Sequence, residues 1–384
     1  MALHFSEAEF DQRKSAVIAE LERKGLDGIL LFRQESQYYL TGYDTFGYVF
    51  FQCVYLGTDG RTFLLTRSAD QRQAAMTSTV KDIRIWRDAP DSKPAVDLRE
   101  ILREYGCEGK KLGAEFEAYG LTHRNGKHLE KSLDGFCELV DSSFLVSKIR
   151  VVKSAAEIAY VKEAAALADD AWDSAKALIG SGVDEGHILA AMQGAIFEGG
   201  GDYPANDFII GSGVEALMCR YKTGRRTLSQ QDQITLEWAG VYRHYHAAMM
   251  RTAVVGEVLQ AQKDMHAITV EALEAAVAAL KPGEPVGNAF DAHAKVFDKN
   301  GMKEHRLNAC GYSLGSTYAP NWMDWPMLYE GNKTLAEPGM VFFCHMILLN
   351  SDLKLAMCPG HTVLVTETGA EPLSRSSLDL LIAD

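Results

Sequence analysis

The chain has 384 residues, 47% hydrophobic and 24% charged, values of an ordinary globular protein that exclude a disordered, collagen-like or coiled-coil chain. Its 39 Lys and Arg against 52 Asp and Glu leave a net charge of −13, which argues against the basic surface that nucleic-acid binding needs. Seven scattered cysteines with no C-x-x-C pair give neither a disulfide framework nor a thiolate zinc site, and they suit a cytoplasmic protein. Glu7, Glu9 and Asp11 stand where a signal peptide needs a basic flank, and the most apolar stretch, Met340 to Leu349, falls short of the ~20 residues of a membrane span, so neither export nor insertion is expected.

In chain order, apolar residues at helical spacing predict a helix over Ser6 to Lys24. A buried strand comes next at Gly28 to Phe32, then two strands, Val54 to Leu56 and Arg61 to Leu65, joined by the turn Gly57-Thr58-Asp59-Gly60. A helix near Ala95 to Tyr105 and a strand near Lys111 to Glu115 complete a mixed α/β domain, residues 1–148. Ser154 and Glu157 form a capping box, in which the hydroxyl accepts from the third amide and the carboxylate reaches back to the cap amide. The helix it starts runs to about Leu178 and stops at Gly180 and Gly182. Beyond it come a helix over Asp184 to Glu198, a strand pair at Gln233 to Trp238 and His244 to Val255, and helices at Leu259 to Leu280 and Val286 to Asn300. Strands near Val341 to Leu349 and His361 to Thr366 close an α+β second domain, residues 149–384, with an antiparallel core.

Three places concentrate groups able to do chemistry. In the hairpin from Leu236 to His246, Gly240 is read as the turn; alternation puts His244, His246, Ala248 and Met250 on one face, and a regular hairpin adds Glu237 to it. This is either a polar ladder on a half-solvated sheet or an acid–imidazole site. The second place is the glycine loop Gly311-Tyr312-Ser313-Leu314-Gly315 with Tyr318, Trp322, Asp324 and Trp325, in which aromatic faces around a carboxylate suit a cation, unless the loop packs on the core or an interface. The third is His345 in an apolar strand with His361 on a neighbouring one, either satisfied core residues or part of the same site.

These residues resemble the creatinase, prolidase and aminopeptidase P group, the pita-bread fold of the methionine aminopeptidase superfamily. The likeness runs through Leu40-Thr41-Gly42-Tyr43-Asp44, Arg150 with Lys153, Ser154 and Glu157, Arg251-Thr252, Glu337-Pro338-Gly339-Met340 and Thr362 to Glu367. It implies a pita-bread catalytic domain behind a smaller creatinase-type α/β domain. Metal-dependent members hold two divalent ions with two Asp, one His and two Glu; the corresponding positions here carry Glu237, Ala248, Tyr312, His345 and Gly360. One carboxylate cannot offset and bridge two dications, so the resemblance points to the metal-lacking branch, and the hairpin and glycine loop look most like those of ectoine hydrolase.

That resemblance implies a hydrolase of C–N bonds in a small zwitterion, with no metal cofactor. Glu237 is the expected base or nucleophile, and His246, His345 or His361 the acid. Arg220, Arg243 or both are expected to hold a substrate carboxylate, Glu237 or Tyr312 to orient the imidazole, and Trp322, Asp324 and Trp325 to hold a cationic part. A homodimer is implied, in which Tyr43, Asp44 and Tyr48 reach across to close the site. The alternatives are one divalent metal on Glu237, His246, His345 and His361, an Xaa-Pro peptidase, or a binding protein without turnover.

Overall fold

A computed structural model describes residues 3–220 and 226–384. Its contacts divide the chain into two units, the first ending at Arg150 and the second spanning Val151–Asp384.

The first unit contains α1 (Glu7–Arg23), β1 (Gly28–Leu31), α2 (Gln34–Thr41), β2 (Cys53–Gly57), β3 (Thr62–Arg67), α3 (Gln71–Thr77), β4 (Asp82–Trp86), α4 (Pro94–Glu104), β5 (Lys111–Ala114), α5 (His123–Leu133), β6 (Glu138–Asp141) and α6 (Leu145–Arg150). Its six strands form one sheet in the order β4-β3-β2-β1-β5-β6, covered on both faces. Strand alternation explains the layering: Leu30 joins a core with Leu98, Leu102, Leu129 and Leu133 of α4 and α5, while Ile29 and Leu31 join Val17, Leu21, Leu40 and Val146 of α1, α2 and α6. Residues buried on both faces read as a continuous apolar run, which is why β1 is legible in the sequence.

The second unit opens with α7 (Ala155–Lys176) and α8 (Glu185–Glu198), then β7 (Ile209–Ser212), β8 (Asp232–Tyr242), β9 (Tyr245–Val255), α9 (Gln260–Ala279) and α10 (Gly287–Lys299). It continues with β10 (Ala309–Ser313), β11 (Asp324–Tyr329), β12 (Val341–His345), β13 (Leu348–Asn350), β14 (Leu355–Met357), β15 (Gly360–Val365), β16 (Ala370–Pro372) and β17 (Leu381–Ala383). The capping box forms as expected, with Glu157 N–H donating to Ser154 Oγ at 3.2 Å and Ser154 N–H to Glu157 Oε2 at 2.9 Å. The main sheet runs β11-β10-β12-β15-β9-β8-β7, with β16 and β17 pairing at its side. One face is covered by helices: Trp238 of β8 stacks on Trp172 of α7 at 5.5 Å, and Phe342 and Cys344 of β12 pack with Leu273, Phe290 and Phe297 of α9 and α10.

One expectation about the hairpin is corrected. Gly240 lies inside β8, opposite Ala247, and the turn is Arg243-His244, both left-handed with φ of 51° and 65°. Positive φ at two successive positions is the hairpin turn whose twist matches its strands, here built without the usual Asn or Gly. Gly240 is needed for another reason, because a Cβ there would meet the Ala164 carbonyl oxygen of α7 at 1.9 Å.

Candidate active site

Register decides which groups meet. Along β8 and β9, Glu237 lies opposite Met250, Ala239 opposite Ala248 and Val241 opposite His246, so these six side chains share the sheet face turned away from α7. Met250 also lies opposite Gly360, and Gly360 opposite His345, which brings His345 onto the same face. Phe343, two residues before His345, faces Tyr312 on β10. The face therefore gathers Glu237, Tyr312, Phe343 and His345.

Glu237 is buried, and Tyr312 donates its hydroxyl proton to Oε1 at 3.3 Å. Burial pushes this carboxyl up to about 7, against the opposing pull of the Arg220 charge and the Tyr312 bond. Tyr312 accepts from Trp322 Nε1 at 2.8 Å; burial first, and then the Glu237 charge, push its phenol well above the ordinary value. His345 lies 5.6 Å from the Tyr312 ring and 5.2 Å from that of Phe343, centre to centre. Its Nδ1 is buried without a partner among the described residues, and burial pulls the imidazole down to about 4, so it is neutral at pH 7. Arg220, an exposed residue beyond β7, acts electrostatically on Glu237, Tyr312 and His345 together.

Of the other expected site residues, His246 shares this face but is engaged, and the others named below lie off it. His361 is opposite Cys344, hence on the helix-covered face, where it feels Arg251 and Asp169; successive strand residues alternate, so His345 and His361 project to opposite sides of the sheet. His246 is on the site face but fully engaged: Ala205 N–H donates to its Nε2 at 2.9 Å, and its Nδ1 meets the His244 carbonyl at 2.8 Å and Thr317 Oγ1 at 3.1 Å. An imidazole held as acceptor on one side and donor on the other, and pulled down by burial to about 3, staples the loop after β10 with both nitrogens engaged.

Arg243 sits in the hairpin turn with its guanidinium 5.4 Å from the Tyr242 ring, six residues and roughly 20 Å along the strand from Glu237. Asp324 and Trp325 begin β11, and alternation sends Trp325 to the helix-side core, so the expected cage of two indoles around Asp324 does not form. Asp324 Oδ1 instead accepts from the Trp325 amide at 2.8 Å. Tyr43 is buried in the first unit's core, its hydroxyl 3.2 Å from Thr66 Oγ1, and so presents no face outward; Tyr48 is also buried and Asp44 half-buried. Phe343 is not among the candidates the sequence singles out, although counting two back from His345 along a strand finds it.

Whether this site can hold a metal is a question of donors. No group of three or more His, Cys, Asp or Glu side chains placed to hold an ion occurs among the described residues. Glu237, His345 and Tyr312 supply one carboxylate, one imidazole and one phenol, while Ala248 and Gly360 supply no side-chain donor. That set does not fit a dinuclear centre.

Comparison with known proteins agrees with this architecture. Residues 13–152 match the creatinase/prolidase N-terminal domain and residues 159–367 match metallopeptidase family M24. The chain belongs to metallopeptidase family M24, a family of hydrolases, and has its pita-bread fold. An uncharacterised hydrolase/peptidase of Sinorhizobium fredii is 29% identical over 100% of this chain and 99% of its own length, and the ectoine hydrolase of Halomonas elongata is 26% identical over the same shares. The Xaa-Pro dipeptidase of Pyrococcus furiosus is 25% identical over 62% of this chain and 67% of its own. Among solved structures, the prolidase of Thermococcus sibiricus superposes with a TM-score of 0.87 at 21% identity, covering 99% of this chain and 100% of that one. Among the described residues no helix is long and apolar enough to cross a membrane.

Proposed function

We propose that the protein hydrolyses a C–N bond in a small non-peptide zwitterion, an ectoine-, creatine- or osmolyte-like compound, without a metal ion. The observation that carries this reading is Glu237: a lone buried carboxyl, at about 7, stands where a dinuclear centre needs several anionic oxygens. A carboxyl titrating near neutrality suits both halves of a hydrolysis, because it takes a proton from the attacking water and returns it to the leaving nitrogen. Of the three imidazoles, His345 alone shares the Glu237 face with unsatisfied hydrogen-bonding capacity, which makes it the partner for the leaving nitrogen. Arg220 supplies the cation for a substrate carboxylate, and Tyr312 and Phe343 supply aromatic walls. The full-length similarity to an ectoine hydrolase supports the same class. A homodimer is part of the proposal, supported by the exposed first-unit side chains Phe46, Val49 and Phe50, the first of them 73% accessible.

The test is a mass-spectrometric screen of cyclic amidines, guanidino acids, ureido acids and betaines, run with and without chelator and with Glu237→Gln as the blank. Turnover of one compound, indifferent to chelator and reduced by a factor of about 100 or more in the variant, is expected. Chelator-sensitive turnover, or manganese-stimulated cleavage of Xaa-Pro dipeptides, would move the protein to the metal-dependent side of its family and overturn the proposal.

A further inference from the structure

We propose that Trp322 is a positioning residue, which fixes the direction of the Tyr312 proton and thereby leaves Oε2 of Glu237 as the one oxygen that serves the reaction. The inference rests on the reading of Glu237 as the working carboxyl, but its geometry stands independently. An indole N–H only donates, and the Trp322 Nε1 lies 2.8 Å from the Tyr312 oxygen. A phenol has a single proton, and with one lone pair filled from the indole that proton is directed at the neighbouring acceptor, Glu237 Oε1, 3.3 Å away. The chain of donation therefore has one polarity, from Trp322 through Tyr312 to Glu237. Oε2 has no hydrogen-bond partner among the described residues, yet it is not among the fully buried orphaned atoms.

The surroundings hold this chain in place. Phe343 meets the Tyr312 ring edge-on at 5.6 Å, which fixes the phenol's plane. Trp322 is almost fully buried at the end of the loop that His246 staples: the His246 N–H donates to the Gly315 carbonyl at 3.1 Å, and the Thr317 hydroxyl, 3.1 Å from His246 Nδ1, also meets the Trp322 carbonyl at 3.5 Å. His246 and Trp322 thus affect Glu237 without touching it. When Glu237 carries a proton, Tyr312 still donates to Oε1, so the exchangeable proton resides on Oε2, where water or a leaving nitrogen can reach it.

The experiment needs no substrate. The carboxylate stretch of Glu237 is identified in the infrared difference between the wild type and Glu237→Gln at about pH 9, well above its ionisation. It is then followed in Trp322→Phe, in Tyr312→Phe and in the double variant. Because the Phe substitution also changes volume, Trp322 is in addition replaced by β-(3-benzothienyl)alanine, which swaps the indole N–H for sulfur in the same shape. The band is expected to shift in each single variant and in the sulfur analogue, with the double variant matching Tyr312→Phe. A band unmoved by the sulfur analogue, or a Trp322 effect that persists once the phenol is gone, overturns the proposal. Failure of the substrate screen with these shifts intact would instead remove the hydrolase reading and leave the hydrogen-bond chain standing.

Discussion

At the scale of single residues, burial reverses the ordinary order of acidity on the Glu237 face. Glu237 is raised from 4.5 to about 7 while His345 is lowered from 6.5 to about 4, both mainly by desolvation. At neutral pH the carboxyl exchanges protons and the imidazole is neutral. The raised carboxyl carries a cost in stability: the folded state favours its proton, so the penalty is absent below the unfolded value of 4.5, grows as pH rises, and is complete above about 7. Glu237→Gln, which keeps an oxygen for Tyr312 and never ionises, is therefore expected to be more stable than the wild type at pH 8, by up to about 3 kcal/mol, and equal to it at pH 4.5. Parallel denaturant titrations at the two pH values check this; a gain of the same size at both would mean that repacking, not charge burial, is responsible. Glu237 and Tyr312 were legible in the sequence as candidates, since an acid in an apolar hairpin and a tyrosine just after a glycine are conspicuous. The sorting of the histidines was not, because His246, His345 and His361 are alike as letters and differ only in face and hydrogen-bond partners.

Secondary-structure elements supply that sorting. A strand shows its alternation in the sequence but not its register, and it is the pairing of His345 with Gly360 rather than with His361 that separates the two imidazoles. The long helices α7, α9 and α10 and the strands β8 and β9 are readable because their caps and periodicities are local. Short pieces such as β7, β13 and β14, at 4, 3 and 3 residues, have too little pattern of their own and exist through tertiary pairing. Gly240 shows how a local signal misleads: glycine is a turn residue by habit, yet here it admits the α7 backbone against β8. Gly240→Ala is expected to force the Ala164 turn of α7 off the strand and to destabilise the second unit by about 3 kcal/mol or more, the upper end for overpacking. The stacked Trp172–Trp238 pair on the same contact reports the shift in near-ultraviolet circular dichroism. A variant with wild-type stability and an unchanged spectrum would show that α7 is not held by backbone contact.

For the molecule as a whole, the two units have separate cores, and burial shifts a carboxyl up in the first and four imidazoles down in the second. In the first, Glu115 is buried at the end of β5, accepting from the amides of Phe32 and Arg33 and from Ser36 Oγ, at 3.0, 2.9 and 2.5 Å; desolvation outweighs these donors and raises it to about 7. A folded state that holds a proton the unfolded chain releases loses stability as pH rises from about 4.5 to 7. In the second unit, His246 is lowered to about 3 and His293, His345 and His361 to about 4, mainly by burial. Unfolding exposes all four to protonation below their ordinary value of 6.5, so their contribution is complete above it and is lost as pH falls. Glu237 opposes them with one proton, leaving a balance of three, or at most about 4 kcal/mol per pH unit. Between pH 5 and 6.5 the second unit is therefore expected to gain stability while the first loses it, each by its own titration. Native-state hydrogen exchange, corrected for the intrinsic pH dependence of exchange, measures the two units in one sample through amides of β2 and β3 and of β8 and β9. His293→Leu, on α10 and outside the Glu237 face, should reduce the second unit's slope by about a third without altering the first. Parallel slopes in the two units, or a second unit whose protection falls as pH rises, would show that the four imidazoles become protonated within the fold, and the neutral state assigned to His345 at the site would have to be abandoned with them.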